Sequence, residues 1–165
     1  MIIKGKVWKV GEDINTDAIA PSRYNLDTRE VQAAHCLESA DPEFAKKAKP
    51  GDIIVAGKNF GCGSSRERAP QCIQDFGIAA IVAPSYARIF MRNAINIGLT
   101  ILEADEAPSA INEGDVIEID TASGTIKDVT TGATLNVSKF PPFLQSIIDS
   151  GGLVPYARRK LGTSA

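Results

Sequence analysis

The sequence predicts an α/β fold that combines parallel and antiparallel strands. Two observations carry the prediction. Short apolar runs at residues 53–56 and 78–83 alternate with segments at helical spacing, the pattern of parallel strands covered by helices. After Asp115 the pattern changes to short strand-like segments separated by Ser123-Gly124 and Thr131-Gly132 turns, which reads as antiparallel sheet. With 165 residues, 44% hydrophobic and 23% charged, the chain can bury a proper core as one domain, and a disordered or fibrous protein is excluded.

Taken in order, residues 2–10 are β-branched and alternating, hence a strand, and the polar run 11–17 is a turn. Pro21 starts an irregular loop. Residues 29–39 read as a helix, with Asp41-Pro42 and Pro50-Gly51-Asp52 as punctuation after it. The strand at 53–56 feeds a glycine-rich turn, after which Ala69, Cys72, Ile73 and Phe76 recur at helical spacing. Ser64-x-x-Glu67 has the form of a capping box, yet Pro70 suits the first position of a helix that begins later; a turn through Arg66 and a helix from about Pro70 is the favoured reading. The buried strand at 78–83 is followed by Pro84-Ser85 as the cap of a helix carrying Ala87, Phe90 and Ala94. Strands are expected at 116–119, 124–127 and 133–137. Pro141-Pro142 opens a last helix, with Phe143, Leu144, Ile147 and Ile148 on one face and Gly151-Gly152 ending it.

The most informative stretch is Gly57-Lys-Asn-Phe-Gly-Cys-Gly-Ser-Ser-Arg-Glu67. Gly61 and Gly63 free the backbone to take positive φ and to bring its N–H groups close to a ligand. Ser64 and Ser65 add hydroxyls, and Arg66 offers a planar fork that matches a carboxylate. A tight strand-to-helix connection would account for a lone Gly-x-Gly-Ser, but not for the longer string. Two further polar groups accompany it. Asn15-Thr16-Asp17 is equally an Asx-type turn, and Arg88 with Arg92 and Asn93 is equally an exposed helix face.

Several chemistries are excluded. A serine hydrolase needs an oriented base, and the single histidine, His35, sits beside Cys36 with nothing linking it to Ser64. No Gly-Lys-[Ser/Thr] follows the glycines, and the third glycine of a dinucleotide fingerprint is missing. Cys36, Cys62 and Cys72 are an odd number without close spacing, so neither a disulfide framework nor a metal set is expected in this chain. Cys62, inside the glycine loop, is the thiol with a route to thiolate character, whereas Cys72 reads as core. A net charge of -2 argues against nucleic acid as a partner. No apolar run approaches the ~20 residues of a membrane span, and the first residues lack the apolar core of a secretory signal, so no membrane association and a cytoplasmic location are expected. Carboxylate binding beside a hydroxyl remains, and cationic and N–H dipole neighbours would favour a serine alkoxide acting as base.

Three motifs in order, Asn15-Thr-Asp17, Gly57 to Glu67 and Ser85-Tyr-Ala-Arg-Ile-Phe-Met-Arg-Asn-Ala-Ile-Asn-Ile-Gly98, resemble those of the small subunits of 3-isopropylmalate dehydratases, counterparts of the swivelling C-terminal domain of aconitase. The resemblance covers nearly the whole chain. It implies a three-layer swivelling β/β/α fold, one domain over residues 1–165, and a heteromeric hydro-lyase of leucine biosynthesis active only with its large subunit. It further implies that the large subunit carries a [4Fe–4S] cluster, and that this chain carries no cofactor. Carried over by position, Ser64 is the base; Ser65, Arg66 and Gly63, with Asp17 and Thr16, hold a small dicarboxylate. The loop containing Arg23, Tyr24, Asn25, Leu26 and Thr28 faces the variable substituent. Leu26 supports an isopropyl group, whereas Arg23 and Arg29 leave room for the tricarboxylate of a homoaconitase, and a 2,3-dimethylmalate dehydratase is a further alternative. From another class, the rival is a stand-alone anion-binding regulatory module. The surface meant for a partner would also support homo-oligomers of the isolated chain.

Overall fold

A computed structural model describes residues 1–162; the last three positions of the one-domain expectation lie outside the described residues. The chain opens with β1 (Ile2–Lys9), a one-turn helix α1 (Thr16–Ile19), a 3-10 turn at Ser22–Tyr24, and two short helices, α2 (Arg29–Ala34) and α3 (Phe44–Lys47). An alternating stretch follows: β2 (Ile53–Val55), α4 (Arg68–Phe76), β3 (Ala80–Ala83), α5 (Arg88–Ile97) and β4 (Ile101–Glu103). After α6 (Ala107–Ala110) come β5 (Val116–Asp120), β6 (Thr125–Asp128) and β7 (Thr134–Asn136), then α7 (Pro142–Asp149) and α8 (Leu153–Leu161).

The strands form one seven-stranded sheet in the order β4-β3-β2-β1-β5-β6-β7. β1 joins its two halves: Val7, Trp8 and Lys9 pair parallel with β2, while residues from Ile2 to Lys6 pair antiparallel with β5. β2, β3 and β4 continue in parallel, and β5, β6 and β7 in antiparallel. The sheet curls until its far edges meet, where Glu103 bridges Ser138 and the Ser138 N–H donates to the Glu103 carbonyl at 2.9 Å. Two cores result from the alternation of side chains along the strands. Trp8, Ile54, Ile81 and Ile101 face Ile73 of α4 and Phe90 and Ala94 of α5. On the concave side Val7, Ile53, Val55, Val82 and Leu102 meet Ile117, Ile119 and Ile126. The layers are therefore β, β and α, as the fold class predicts.

Local expectations differ in six places. The helix expected over 29–39 stops at Ala34, because His35 begins a run of turns in which Leu37 takes a φ of 56°. α4 begins at Arg68 with Glu67 as its cap residue, so the Ser64-x-x-Glu67 box is not formed and Pro70 occupies the third position. Ser85 does not cap α5; its hydroxyl accepts instead from the Asn59 N–H at 3.0 Å. β4 is a strand that the sequence reading passes over. α7 ends just before Gly151-Gly152 as expected but is not the last helix, because α8 follows directly, and Phe143, expected on the packed face of α7, is exposed.

Candidate active site

The glycine loop lies between β2 and α4 and is fastened on both sides. The Asn59 side-chain amide donates to Asp13 Oδ1 at 2.7 Å, and buried Phe60 packs edge-on against Tyr86 and Phe90. Gly61 takes a φ of 79°, and a Cβ there would stand 2.2 Å from Phe90 Cγ, so this residue can only be glycine. The backbone then pairs with the loop after β1: the Gly61 N–H donates to the Ile14 carbonyl at 2.8 Å and the Thr16 N–H to the Cys62 carbonyl at 2.8 Å. This two-residue zipper places the two polar motifs side by side.

Asn15 caps α1, its Oδ1 accepting from the Ala18 N–H at 2.8 Å, which sets Thr16 as the first helical residue. Thr16 is buried, and its Oγ1 lies 3.0 Å from Ser64 Oγ. When Thr16 donates, its hydroxyl stabilises negative charge on Ser64, which is itself exposed. Next to this pair, Arg66 Nη1 donates to Asp17 Oδ1 at 2.8 Å, and the same oxygen accepts from the Ser22 N–H at 3.0 Å. The Arg66 hydrogen bond, followed by that of Ser22, holds the Asp17 carboxyl below the ordinary carboxylate range. The side chains of Arg66 and Asp17 are 35% and 56% exposed, so the pair is a solvent-accessible one that a carboxylate ligand can displace. Gly63, at a φ of 102°, passes beside Thr16, and Ser65 is exposed next to Ser64.

Of the expected recognition-loop residues, Asn25 and Leu26 reach the Arg66 side of this place. With Arg66, Glu67, Arg68 and Gln71 they line a cleft of about 460 Å³. Leu26 is fully exposed. The others serve their own chain. Arg23 Nη2 donates to Glu38 Oε1 at 2.6 Å, and Tyr24 stacks on His35, whose Nδ1 pairs with the other Glu38 oxygen. Thr28 caps α2, and Arg29 forks onto Asp75 of α4 at 2.7 and 2.5 Å. Arg68 and Gln71 are cleft residues absent from the sequence expectations; for Arg68, its place two residues after Arg66 is the signal that points to it. Arg88 and Arg92 line a different groove, of about 490 Å³, with Met91, Phe143, Leu144 and Leu153.

Two of the three thiols belong to the core. Cys36 and Cys72 are buried, and the hydrogen bond that the Cys36 thiol gives to Cys72, together with burial, pushes the Cys36 thiol well up. Cys62 Sγ lies 3.4 Å from the Asp13 carbonyl. Among the described residues, no three histidines, cysteines or carboxylates gather to hold a metal ion.

A sheet of this order, carrying a serine and an arginine on a glycine loop, defines a class. Residues 7–107 match the family described as the aconitase C-terminal domain, and the chain belongs to that family. A relative from Moorella thermoacetica, "3-isopropylmalate dehydratase small subunit", is 56% identical over 166 residues and covers 99% of both chains. A second, from Methanocaldococcus jannaschii, "Isopropylmalate/citramalate isomerase small subunit", is 51% identical over 164 residues, 99% of this chain and 98% of that one. Among solved structures, a 3-isopropylmalate dehydratase from Methanocaldococcus jannaschii matches with a TM-score of 0.93 at 44% identity, covering 98% of this chain and 96% of that one.

Proposed function

We propose that the chain, as one swivel-type domain over residues 1–165, is the small subunit of a two-chain hydro-lyase. The complex interconverts 2-isopropylmalate and 3-isopropylmalate, a step of leucine biosynthesis, by loss and return of water. The observation that carries this reading is the 3.0 Å approach of the Thr16 and Ser64 hydroxyls beside an arginine already bound to a carboxylate. The two small-subunit relatives, 56% and 51% identical, support it.

Ser64, as alkoxide, takes the proton from the carbon next to a substrate carboxylate; the C–H electron pair becomes the alkene bond, and the hydroxyl on the neighbouring carbon departs. In rehydration the Ser64 hydroxyl returns the proton to the other carbon. Thr16 donates to the serine oxygen and so stabilises its charged form. Arg66 exchanges Asp17 for the substrate carboxylate, with Ser65 and Gly63 beside it. Two buried thiols in contact with each other, one loop thiol and a single histidine do not suit a cluster; a [4Fe–4S] cluster, which we assign to a large-subunit partner, would supply a Lewis acid for the leaving hydroxyl.

Arg23 and Arg29 pair with Glu38 and Asp75 and do not line the cleft shared by Leu26 and Arg66, which disfavours a third substrate carboxylate there. Leu26 instead presents an apolar surface to an isopropyl group, and a methyl-substituted malate is the second substrate to assay. We place the complex in the cytoplasm; no helix among the described residues is long and apolar enough to cross a membrane. The isolated chain is expected to self-associate.

The test is anaerobic reconstitution with a candidate large subunit, assayed on isopropylmalate, citramalate-type and homoaconitate-type substrates. Turnover of isopropylmalate with both chains and with neither alone is expected. An intact cluster without turnover would overturn the reading and leave an anion-binding module.

A further inference from the structure

The loop that carries Leu26 is fastened to its surroundings at five points. Its start is held by the Ser22 N–H on Asp17, at 3.0 Å, and its first side by Arg23 on Glu38, at 2.6 Å. Its end is held by Arg29 on Asp75, with the Gln32 side-chain amide donating to the Asp27 carbonyl at 2.8 Å. The tip, Asn25-Leu26, has a different anchor: Arg68 Nη1 donates to the Asn25 carbonyl. Arg68 is the first residue of α4 and follows the Arg66 segment directly, so the anchor runs from the frame of the catalytic loop to the tip of the recognition loop. Its guanidinium forms no ion pair with any carboxylate of the described residues, whereas Arg23, Arg29 and Arg66 each form one. A backbone carbonyl is therefore what holds it, and a guanidinium in a fixed plane positions a carbonyl better than a flexible ammonium does.

Leu26 makes the anchor consequential. This side chain is fully exposed, so no packing of its own sets where it stands over the cleft that it shares with Arg66. We propose that Arg68 is a specificity-determining positioning residue: by gripping the Asn25 carbonyl it fixes the distance between Leu26 and Arg66, and hence the size of the apolar substituent accepted beside the bound carboxylate. The proposal rests on the dicarboxylate reading given above, and it acts through Leu26 without contact between Arg68 and the reacting atoms.

Two measurements test it separately from that reading. In the isolated full chain, hydrogen exchange reports the anchor without any substrate. The N–H groups of Tyr24, Asn25 and Asp27 are bonded to Pro21, Ser22 and Tyr24, and in Arg68→Met their exchange is expected to quicken by about tenfold while the β1–β2 amides are unchanged. Arg68→Met keeps the apolar stem, so lost packing is not confused with the lost bond. In the reconstituted complex, the preference for isopropyl over methyl substituents, as a ratio of kcat/KM, is expected to fall by about tenfold in Arg68→Met and to recover partly in Arg68→Lys. The kcat for the methyl substrate should stay within about threefold of the parent, the range of a residue outside the chemistry. Unchanged exchange at the loop tip would overturn the anchor whatever the enzyme does. Faster exchange with an unchanged preference ratio would overturn the specificity role, and an equal loss of affinity for every dicarboxylate would make Arg68 a substrate ligand instead. A parent complex that turns over none of these substrates would overturn the dicarboxylate reading and the specificity role with it, and the exchange result would still decide the anchor.

Discussion

Replacing Thr16 with valine isolates one hydrogen bond of the proposed chemistry. Thr16 is 3% exposed, so a side chain of the same shape fits its site. Its backbone bonds are untouched, with the N–H on the Cys62 carbonyl at 2.8 Å and the carbonyl accepting from Ala20 at 3.0 Å. The loss is the 3.0 Å contact with Ser64 Oγ. In the resting protein that is a bond between neutral groups, contributing about 0.5–1.5 kcal/mol, and water replaces part of it because Ser64 is exposed. Once Ser64 carries negative charge, the same bond is charge-assisted and contributes about 1.5–3 kcal/mol. The difference, about 1–2 kcal/mol, falls on the barrier and corresponds to a 5–30-fold drop in kcat. The assay is steady-state turnover of the reconstituted complex beside urea unfolding of the isolated chain. KM is expected to stay within about twofold, unfolding stability to fall by less than about 1 kcal/mol, and Thr16→Ser to recover most of the rate. A parent-like kcat in Thr16→Val, or a rate loss that merely follows the fraction unfolded, would refute the reasoning.

Gly61→Ala must adopt a left-handed conformation, at about 1–2 kcal/mol, and push Phe90 off its contacts, at about 1–3 kcal/mol. Urea unfolding should register a loss of roughly 3 kcal/mol, and stability within 0.5 kcal/mol of the parent would contradict the close approach to Phe90. Arg66→Lys replaces a fork with a point charge, so kcat/KM should fall by at least about tenfold while the fold is retained, and unchanged turnover would remove Arg66 from the site. For pH, the Asp17 carboxyl is depressed by Arg66 and Ser22, so its stabilising contribution is present above the unfolded value of about 3.9 and is lost as pH falls through its lower folded value. The Tm advantage of the parent over Asp17→Asn should therefore shrink as pH drops from about 5 towards 3, and an advantage that grows would reverse the assignment.

The parallel half of the sheet was legible because Ile53 to Val55 are buried on both faces, and wholly apolar runs between helical segments have few other readings. The antiparallel half was legible from its turns. β4 and α8 were not, and the reason is tertiary. A Cβ at Gly98 would stand 2.5 Å from the Gly151 backbone, and one at Gly152 would stand 2.6 Å from the Asn96 carbonyl. These glycines stop α5 and α7 and also let the α5 end cross closely over the turn between α7 and α8, and that second role depends on the tertiary fold. Ser85 illustrates the same override, since its hydroxyl meets Asn59 instead of capping the next helix. At the site, the serines and Arg66 were readable from the loop, and Asn15-Thr16-Asp17 from its polarity. Their contact was not, because it depends on the backbone zipper between Gly61 and Ile14 and between Thr16 and Cys62. Arg23 illustrates the opposite limit: its charge was visible in the sequence, whereas its engagement by Glu38 required the turns after α2.

The central claim is that Ser64 is the proton acceptor, and the most direct measurement is turnover of isopropylmalate by complexes reconstituted with Ser64→Ala and, in parallel, Ser65→Ala. A fall of about 10²–10⁴ in kcat is expected for Ser64→Ala with substrate still bound, and a smaller loss, expressed mainly in KM, for Ser65→Ala. Near-normal turnover by Ser64→Ala would contradict that role.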